Sequence, residues 1–268
     1  MNRYVIRISI PFVLCALSVF AGCRRYETVH TELHSVPQES TISVATFNGD
    51  IDIEWYAEDE MSIEITKTSW RSEEELEKVE VVIITDSETS VTARKLDTDA
   101  NVGVSLSLLL PQGTAIRILE TSNGDITVTD GAGDAEAYTS NGDVTFSNFD
   151  GTIEIETSNG DIIVWGGSLS GANTSNGSIE AGIYTVPPEG IVLDTSNGDI
   201  IIKVLAGLNA EFDMDTSNGS VSIDAEDLTN VRISDSDGRA TLGEGGSIII
   251  LDTSNGDIKV STIAPENL

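Results

Sequence analysis

Acidic side chains recur at one position along the chain and are the first groups that could do chemistry. Asp50, Asp125, Asp143, Asp161, Asp199 and Asp257 each follow an Asn-Gly pair. If the copies stack as neighbouring strands ~4.8 Å apart, the carboxylates repel by about 1 kcal/mol in water and about 3–4 kcal/mol at a surface-like dielectric. Calcium takes oxygen ligands and would relieve that repulsion, so Asp125, Asp143 and Asp161 are candidate metal ligands. Against this, Ser178, Ser220 and Arg239 interrupt the column, and the nine-residue Gly-rich calcium repeat is missing. A solvated acidic edge is the competing reading, and no cofactor other than calcium is implied.

Other constellations point to catalysis or binding. Some β-helix enzymes act on polysaccharides with clustered acids and a basic residue, but acids are everywhere in this chain, so Asp213/Asp215 or Asp235/Asp237 next to Arg239 single out no site. From Thr121 onward there is also no His or Cys, and the only basic residues are Lys203, Arg232, Arg239 and Lys259. A serine nucleophile would lack an evident base, so the expectation is a protein that is not an enzyme. His30 and His34 have the i, i+4 spacing of a helical metal pair but no evident third ligand, which leaves them as solvated linker histidines. Gly131-Ala132-Gly133 and Gly243-Glu244-Gly245-Gly246 do not open helices, so they read as outer corners rather than phosphate loops. Tyr138 and Trp165 fall at outward parity and could stack on sugar rings. They are the candidate binding residues.

The elements that position these groups follow from one repeat. Thr-Ser-Asn-Gly begins at Thr121, Thr139, Thr157, Thr174, Thr195, Thr216 and Thr253, with spacings of 18, 18, 17, 21, 21 and 37. Asp235-Ser236-Asp237-Gly238 fills the double gap as a degenerate copy, and Thr46-Phe47-Asn48-Gly49 is an early one, which makes nine. Apolar residues stand two before and five and seven after the first residue, as in Leu119, Ile126 and Val128. Each copy therefore reads strand, turn, strand. Asn123-Gly124, Asn141-Gly142, Asn159-Gly160, Asn176-Gly177, Asn197-Gly198, Asn218-Gly219 and Asn255-Gly256 are the turns, where φ > 0 is expected. A hairpin meander has no reason to hold one consensus at one period, whereas a coil stacking each position on itself does. The fold class is all-β: a parallel β-solenoid with rungs of about 17–21 residues. Eight consecutive rungs would make a rod of roughly 35–40 Å. The repeated Thr has inward parity, and the Asn side chains can form an amide ladder.

Residues 54–112 break the repeat. Met61–Thr66 reads as a strand, Ser72-x-x-Glu75 as a capping box, and Val79–Thr85 with Val91–Lys95 as a hairpin. This insertion is expected to cap the N-terminal end of the coil, whose open edge would otherwise pair with other chains. At the far end Pro265 is a modest edge blocker.

The N-terminus reads as an address. Arg3 and Arg7 precede an uncharged, mostly apolar run over Ile8–Phe20, too short to span a bilayer and suited to a signal peptide. Phe20-Ala21-Gly22-Cys23 resembles a bacterial lipoprotein cleavage box. That resemblance implies cleavage before Cys23 and its acylation, giving a peripheral membrane protein without a spanning helix. Cys15 leaves with the signal, so no disulfide is possible within the mature chain. The expected organisation is a signal peptide at 1–22, a tether at 23–39, a repeat domain at 40–262 and a tail at 263–268. The chain would sit in the bacterial cell envelope facing away from the cytoplasm, at the outer membrane or cell surface.

Composition sets the outer limits. The 268 residues carry 45 acidic and 14 basic side chains, a formal charge of −31. Phosphate-backbone binding needs Lys and Arg to displace counterions, so nucleic acid is excluded as a partner. Disorder is a poor reading because the apolar residues are regularly spaced.

Repeated T-S-N-G-D-I units after a strand–helix–hairpin region ending in Leu108-Leu109-Leu110-Pro111 resemble the bacterial adhesin-like family of β-strand-repeat proteins, formally of unknown function. The likeness covers about residues 40–262 and implies no catalytic residues. The function expected is a lipid-anchored, non-enzymatic envelope protein that binds through a repetitive acidic face, multivalently along the rod. Its partners would be a glycan, another envelope protein or a second copy. The alternatives are a structural or regulatory envelope component and, more remotely, a polysaccharide-active enzyme.

Overall fold

A computed structural model describes residues 25–225 and 227–263. Cys23, the signal segment and Pro265 lie outside the described residues. The chain opens with β1 (Tyr26–Ser35), then β2 (Thr41–Ala45) and β3 (Ile51–Tyr56). Next come β4 (Glu60–Ser69), a 3₁₀ turn at Glu73–Lys78, β5 (Val79–Thr85), β6 (Glu88–Lys95) and β7 (Gly103–Pro111). Ten strands then run as pairs: β8 (Ala115–Glu120) with β9 (Ile126–Ala132), β10 (Ala135–Tyr138) with β11 (Val144–Asp150), β12 (Thr152–Asn159) with β13 (Ile162–Trp165), β14 (Ser168–Asn176) with β15 (Ile179–Ile183), and β16 (Ile191–Asn197) with β17 (Ile200–Leu205). β18 (Ala210–Asn218) and β19 (Val221–Asp224), a hairpin of β20 (Leu228–Ile233) and β21 (Asp237–Leu242), and β22 (Ile248–Asn255) with β23 (Ile258–Ile263) complete it.

Each rung contributes one strand to each of two facing sheets, of eleven and twelve strands. Pairing between rungs is parallel and in register: Val144 sits beside Ile126 and Ile162, and Thr157 beside Thr174. This is the expected β-solenoid, with two strands per turn. Alternation places Leu119, Ile155, Leu193, Ile126, Ile162 and Ile200 in the core between the sheets. Burying each such side chain stabilises by about 1.5–3 kcal/mol. Where one sheet offers only Ala135 and Ala137, the other offers Phe146, which meets Phe149 edge to face at 5.3 Å.

Several expectations are corrected. Residues 23–39 are not a tether throughout, because Tyr26–Ser35 pairs antiparallel with β4 over its whole length and forms the outermost strand of its sheet. Its polar composition hid it: only Tyr26, His30, Glu32 and His34 are half-buried. The insertion does cover the N-terminal end, but part of it is a rung, since β6 and β7 pair parallel with β2 and β3. Glu75 does not return to its own helix start as a capping box. It is buried and instead accepts from the Asn101 N–H at 2.9 Å and Lys78 Nζ at 2.6 Å.

The C-terminal end is stacked out of sequence. β22 lies between β16 and β18, and β23 between β17 and β19. The supposed ninth copy at Asp235–Gly238 is not a rung. It belongs to the β20–β21 hairpin, and β21 runs antiparallel along β18 to cover the open edge. The hairpin moves the end of this sheet from β18 to β20, its outermost strand. No described helix is long and apolar enough to cross a membrane.

Candidate functional site

The repeated corner holds three parallel ladders. The Thr of each Thr-Ser-Asn-Gly copy donates its hydroxyl to the Gly carbonyl of the preceding rung in the stack, as in Thr139 to Gly124 at 3.1 Å and Thr195 to Gly177 at 2.8 Å. Each of these Asn side-chain amides donates to the Asn side-chain oxygen of the preceding rung in the stack, from Asn123 on Asn48 at 2.6 Å, through Asn141, Asn159, Asn176, Asn197 and Asn255, to Asn218 on Asn255 at 2.9 Å. The glycines are needed for close approach rather than for φ > 0. A Cβ at Gly142 would stand 1.9 Å from the Gly124 carbonyl oxygen, and no corner Asn has positive φ.

The third ladder gives the acidic column a second role beside the calcium reading. Asp125, Asp143 and Asp161 do stack, but one oxygen of each carboxylate accepts the backbone N–H of the following rung at 2.7–2.8 Å. Asp257 receives both the N–H and the hydroxyl of Ser220 at 2.9 Å. These bonds and nearby Lys259 hold its carboxyl below the usual range. At Asp125, Asp143 and Asp161 the column thus commits one oxygen of each carboxylate to the backbone and leaves the other free, and the described residues bring no three His, Cys, Asp or Glu side chains together as a metal site.

The outer faces of the two sheets differ. On the twelve-stranded sheet, Glu120, Tyr138, Glu156 and Asn173 stand in one cross-strand row. The row continues through Asp194, Asp252 and Asp215. Burial, then the charges of Asp194 and Asp215, push the Asp252 carboxyl up. Beside the first four runs a row of exposed serines, Ser122, Ser140, Ser158 and Ser175, and between the rows lies a shallow groove of 390 Å³. Tyr138 sits at its centre with its hydroxyl 3.0 Å from Glu136 Oε2. Its phenol is pushed up to about 12 by burial, by that bond and by the charges of Glu136, Glu154 and Glu156. The groove therefore offers a neutral aromatic ring between carboxylate acceptors and hydroxyls that both donate and accept.

Trp165 is elsewhere, on the outer face of the eleven-stranded sheet. It leans over buried Gly182 together with Tyr184, and the Lys203 ammonium lies 4.9 Å from its ring centroid. The cation occupies the ring that a sugar would use. The structure thus separates the two aromatic candidates, leaving Tyr138 in the groove and Trp165 in a cation–π contact on the other sheet.

The remaining sequence candidates are accounted for locally. His30 and His34 lie on β1 and both bond Glu32, at 3.1 and 3.0 Å. Arg239 pairs Asp213 through two bonds of 3.2 and 3.1 Å, joining the covering hairpin to β18. The serine row and Glu120 and Glu156 were not singled out from sequence, although the second residue of every Thr-Ser-Asn-Gly copy carries the signal.

A family model described as Toastrack DUF4097 matches residues 35–261. Among solved structures, the chain is similar to a candidate cell adhesion protein from Clostridium sporogenes, at 10% identity over 90% of this chain and 100% of that one, with a TM-score of 0.37. It is also similar to a candidate adhesin from Bacteroides fragilis, at 9% identity over 88% and 97%, with a TM-score of 0.44. A candidate adhesin from Parabacteroides merdae gives 15% identity over 88% and 96%, with a TM-score of 0.25. Superpositions this loose carry no functional weight. No curated protein matches the chain.

Proposed function

The chain belongs to the Toastrack DUF4097 family, and from that premise we propose that it is a non-enzymatic, adhesin-like glycan-binding protein of the bacterial cell envelope, lipidated on Cys23. The observation that carries the binding reading is the groove over Glu120, Tyr138, Glu156 and Asn173 with its flanking serine row. A polyhydroxylated chain laid along the rod would meet acceptors and hydroxyls on successive rungs, with the Tyr138 ring to stack on. Weak contacts of this kind add through effective concentration. Supporting a non-enzymatic reading, Asp213, one of the acids beside Arg239, is held in an ion pair with it. Supporting a short anchor, β1 starts three residues after Cys23, at most about 10 Å of extended chain.

Protease shaving of intact cells, with a lysed control, tests the location. A glycan panel probed with the whole protein and with Tyr138→Ala tests the groove. The expected results are digestion on intact cells and glycan binding that Tyr138→Ala weakens by about tenfold, the size of a lost aromatic contact. Protection on intact cells together with a blank panel would overturn the reading in favour of an internal structural component.

A further inference from the structure

The corner ladders have a direction, and only one end of them is open. Eight Asn-Gly pairs occur in the chain. In seven, the Gly N–H donates to the Asn carbonyl of the next rung: Gly49, Gly124, Gly142, Gly160, Gly177, Gly198 and Gly256, at 2.7–3.1 Å. The eighth is Asn218-Gly219, on the last rung of the stack. Among the described residues no acceptor meets the Gly219 N–H, and no further amide donates to the Asn218 side-chain oxygen. Gly219 is also the one exposed glycine of this column, the other seven being half-buried.

We propose that Asn218 is a selective site of spontaneous deamidation in the folded protein. The reaction needs the backbone nitrogen following an asparagine to lose its proton and reach the side-chain carbon. Glycine allows this because it has no Cβ to obstruct the approach. The Gly219 nitrogen attacks Cγ of Asn218, the N–Cγ bond forms, the Cγ–Nδ2 bond breaks, and the amide nitrogen leaves as ammonia with the proton. One water then opens the imide ring at either carbonyl, leaving aspartate or isoaspartate. At the other seven pairs the N–H is held by the next rung and points away from the side chain. The covering hairpin does not supply this protection, because it bonds Thr216 and Val221 on either side of the corner and leaves Gly219 between them. The product adds a negative charge at the distal end of the rod, and isoaspartate would add a backbone carbon to its last corner.

The sequence supplies its own control. Seven of the pairs are Ser-Asn-Gly, so their intrinsic reactivity is matched and only the fold distinguishes Asn218 from the other six. The test is peptide mapping by mass spectrometry after ageing the whole protein at neutral pH, folded and in urea. In the folded sample Asn218 is expected to react about tenfold faster than Asn159 or Asn197, the factor given by about 1.4 kcal/mol, close to one backbone hydrogen bond. In urea the seven Ser-Asn-Gly sites should converge. Equal rates in the folded protein would overturn the proposal. So would a folded rate at Asn48 matching that at Asn218, because Asn48 lies at the closed end.

Discussion

The repeated details of each corner are used in backbone chemistry. Thr, Asn and Asp of one rung bond Gly, Asn and the backbone of the next, so the same four or five residues recur because each rung is the template for its neighbour. The Thr parity and the Asn ladder were legible in the sequence, since both follow from strand alternation and stacking. The use of Asp as a backbone acceptor was not legible, because spacing alone cannot say whether a carboxylate faces a cation or an N–H. Nor was the reason for glycine, which is a contact between rungs rather than a dihedral. That contact makes a sharp prediction. Gly160→Ala places a Cβ 1.9 Å from the Gly142 carbonyl oxygen and should destabilise the protein by about 1–3 kcal/mol or more, as overpacking does. Denaturant melts would read the loss, and an unchanged midpoint would show that the corner can open.

The regular strands were legible because each has its own period-two pattern and its own copy of the corner. Their order in the sheets was not, because identical corners make every rung an acceptable neighbour for every other. Asn197 can stack on Asn218 as well as on Asn255, and only the structure tells which it does. The hairpin β20–β21 was misread for a related reason. Asp235-Ser236-Asp237-Gly238 has the polar composition of a corner, but Ser234 and Asp237 bond each other to close a hairpin turn. The inserted rung yields a prediction for a chain ending at residue 247. Hydrogen exchange should rise across 210–224, which loses β22 and β23 as partners, while 115–183 keeps its protection. Protection retained over 210–224 would mean that β18 and β19 had closed directly onto β16 and β17.

For the molecule as a whole, charge is the dominant electrostatic fact. Burial, then Asp50 and Asp125, push the Asp52 carboxyl up, and Asp252 is raised by burial and its neighbouring acids. A carboxyl with a raised folded pKa holds its proton more firmly when folded, so stability falls as pH rises through that range and returns on acidification. Asp257 and Glu75 are shifted the other way, Asp257 chiefly by its Ser220 bonds and Glu75 chiefly by the Asn101 N–H. Their contribution is present above the ordinary carboxylate range and lost below it. With 45 acids against 14 bases, the melting temperature should rise as the pH is lowered from neutral toward the ordinary carboxylate range near about 4 and fall again on acidification below it. A melting temperature that only falls as the pH is lowered from neutral would contradict this balance. The insertion of the last rung also bears on how the chain is made. A polypeptide emerging N-terminus first can wind its early coils as they appear, but 210–224 can reach its final neighbours only after 248–263 arrives. The distal rungs are therefore positioned by a later segment of the chain rather than by an earlier one, so at this end the order of winding departs from the order of synthesis.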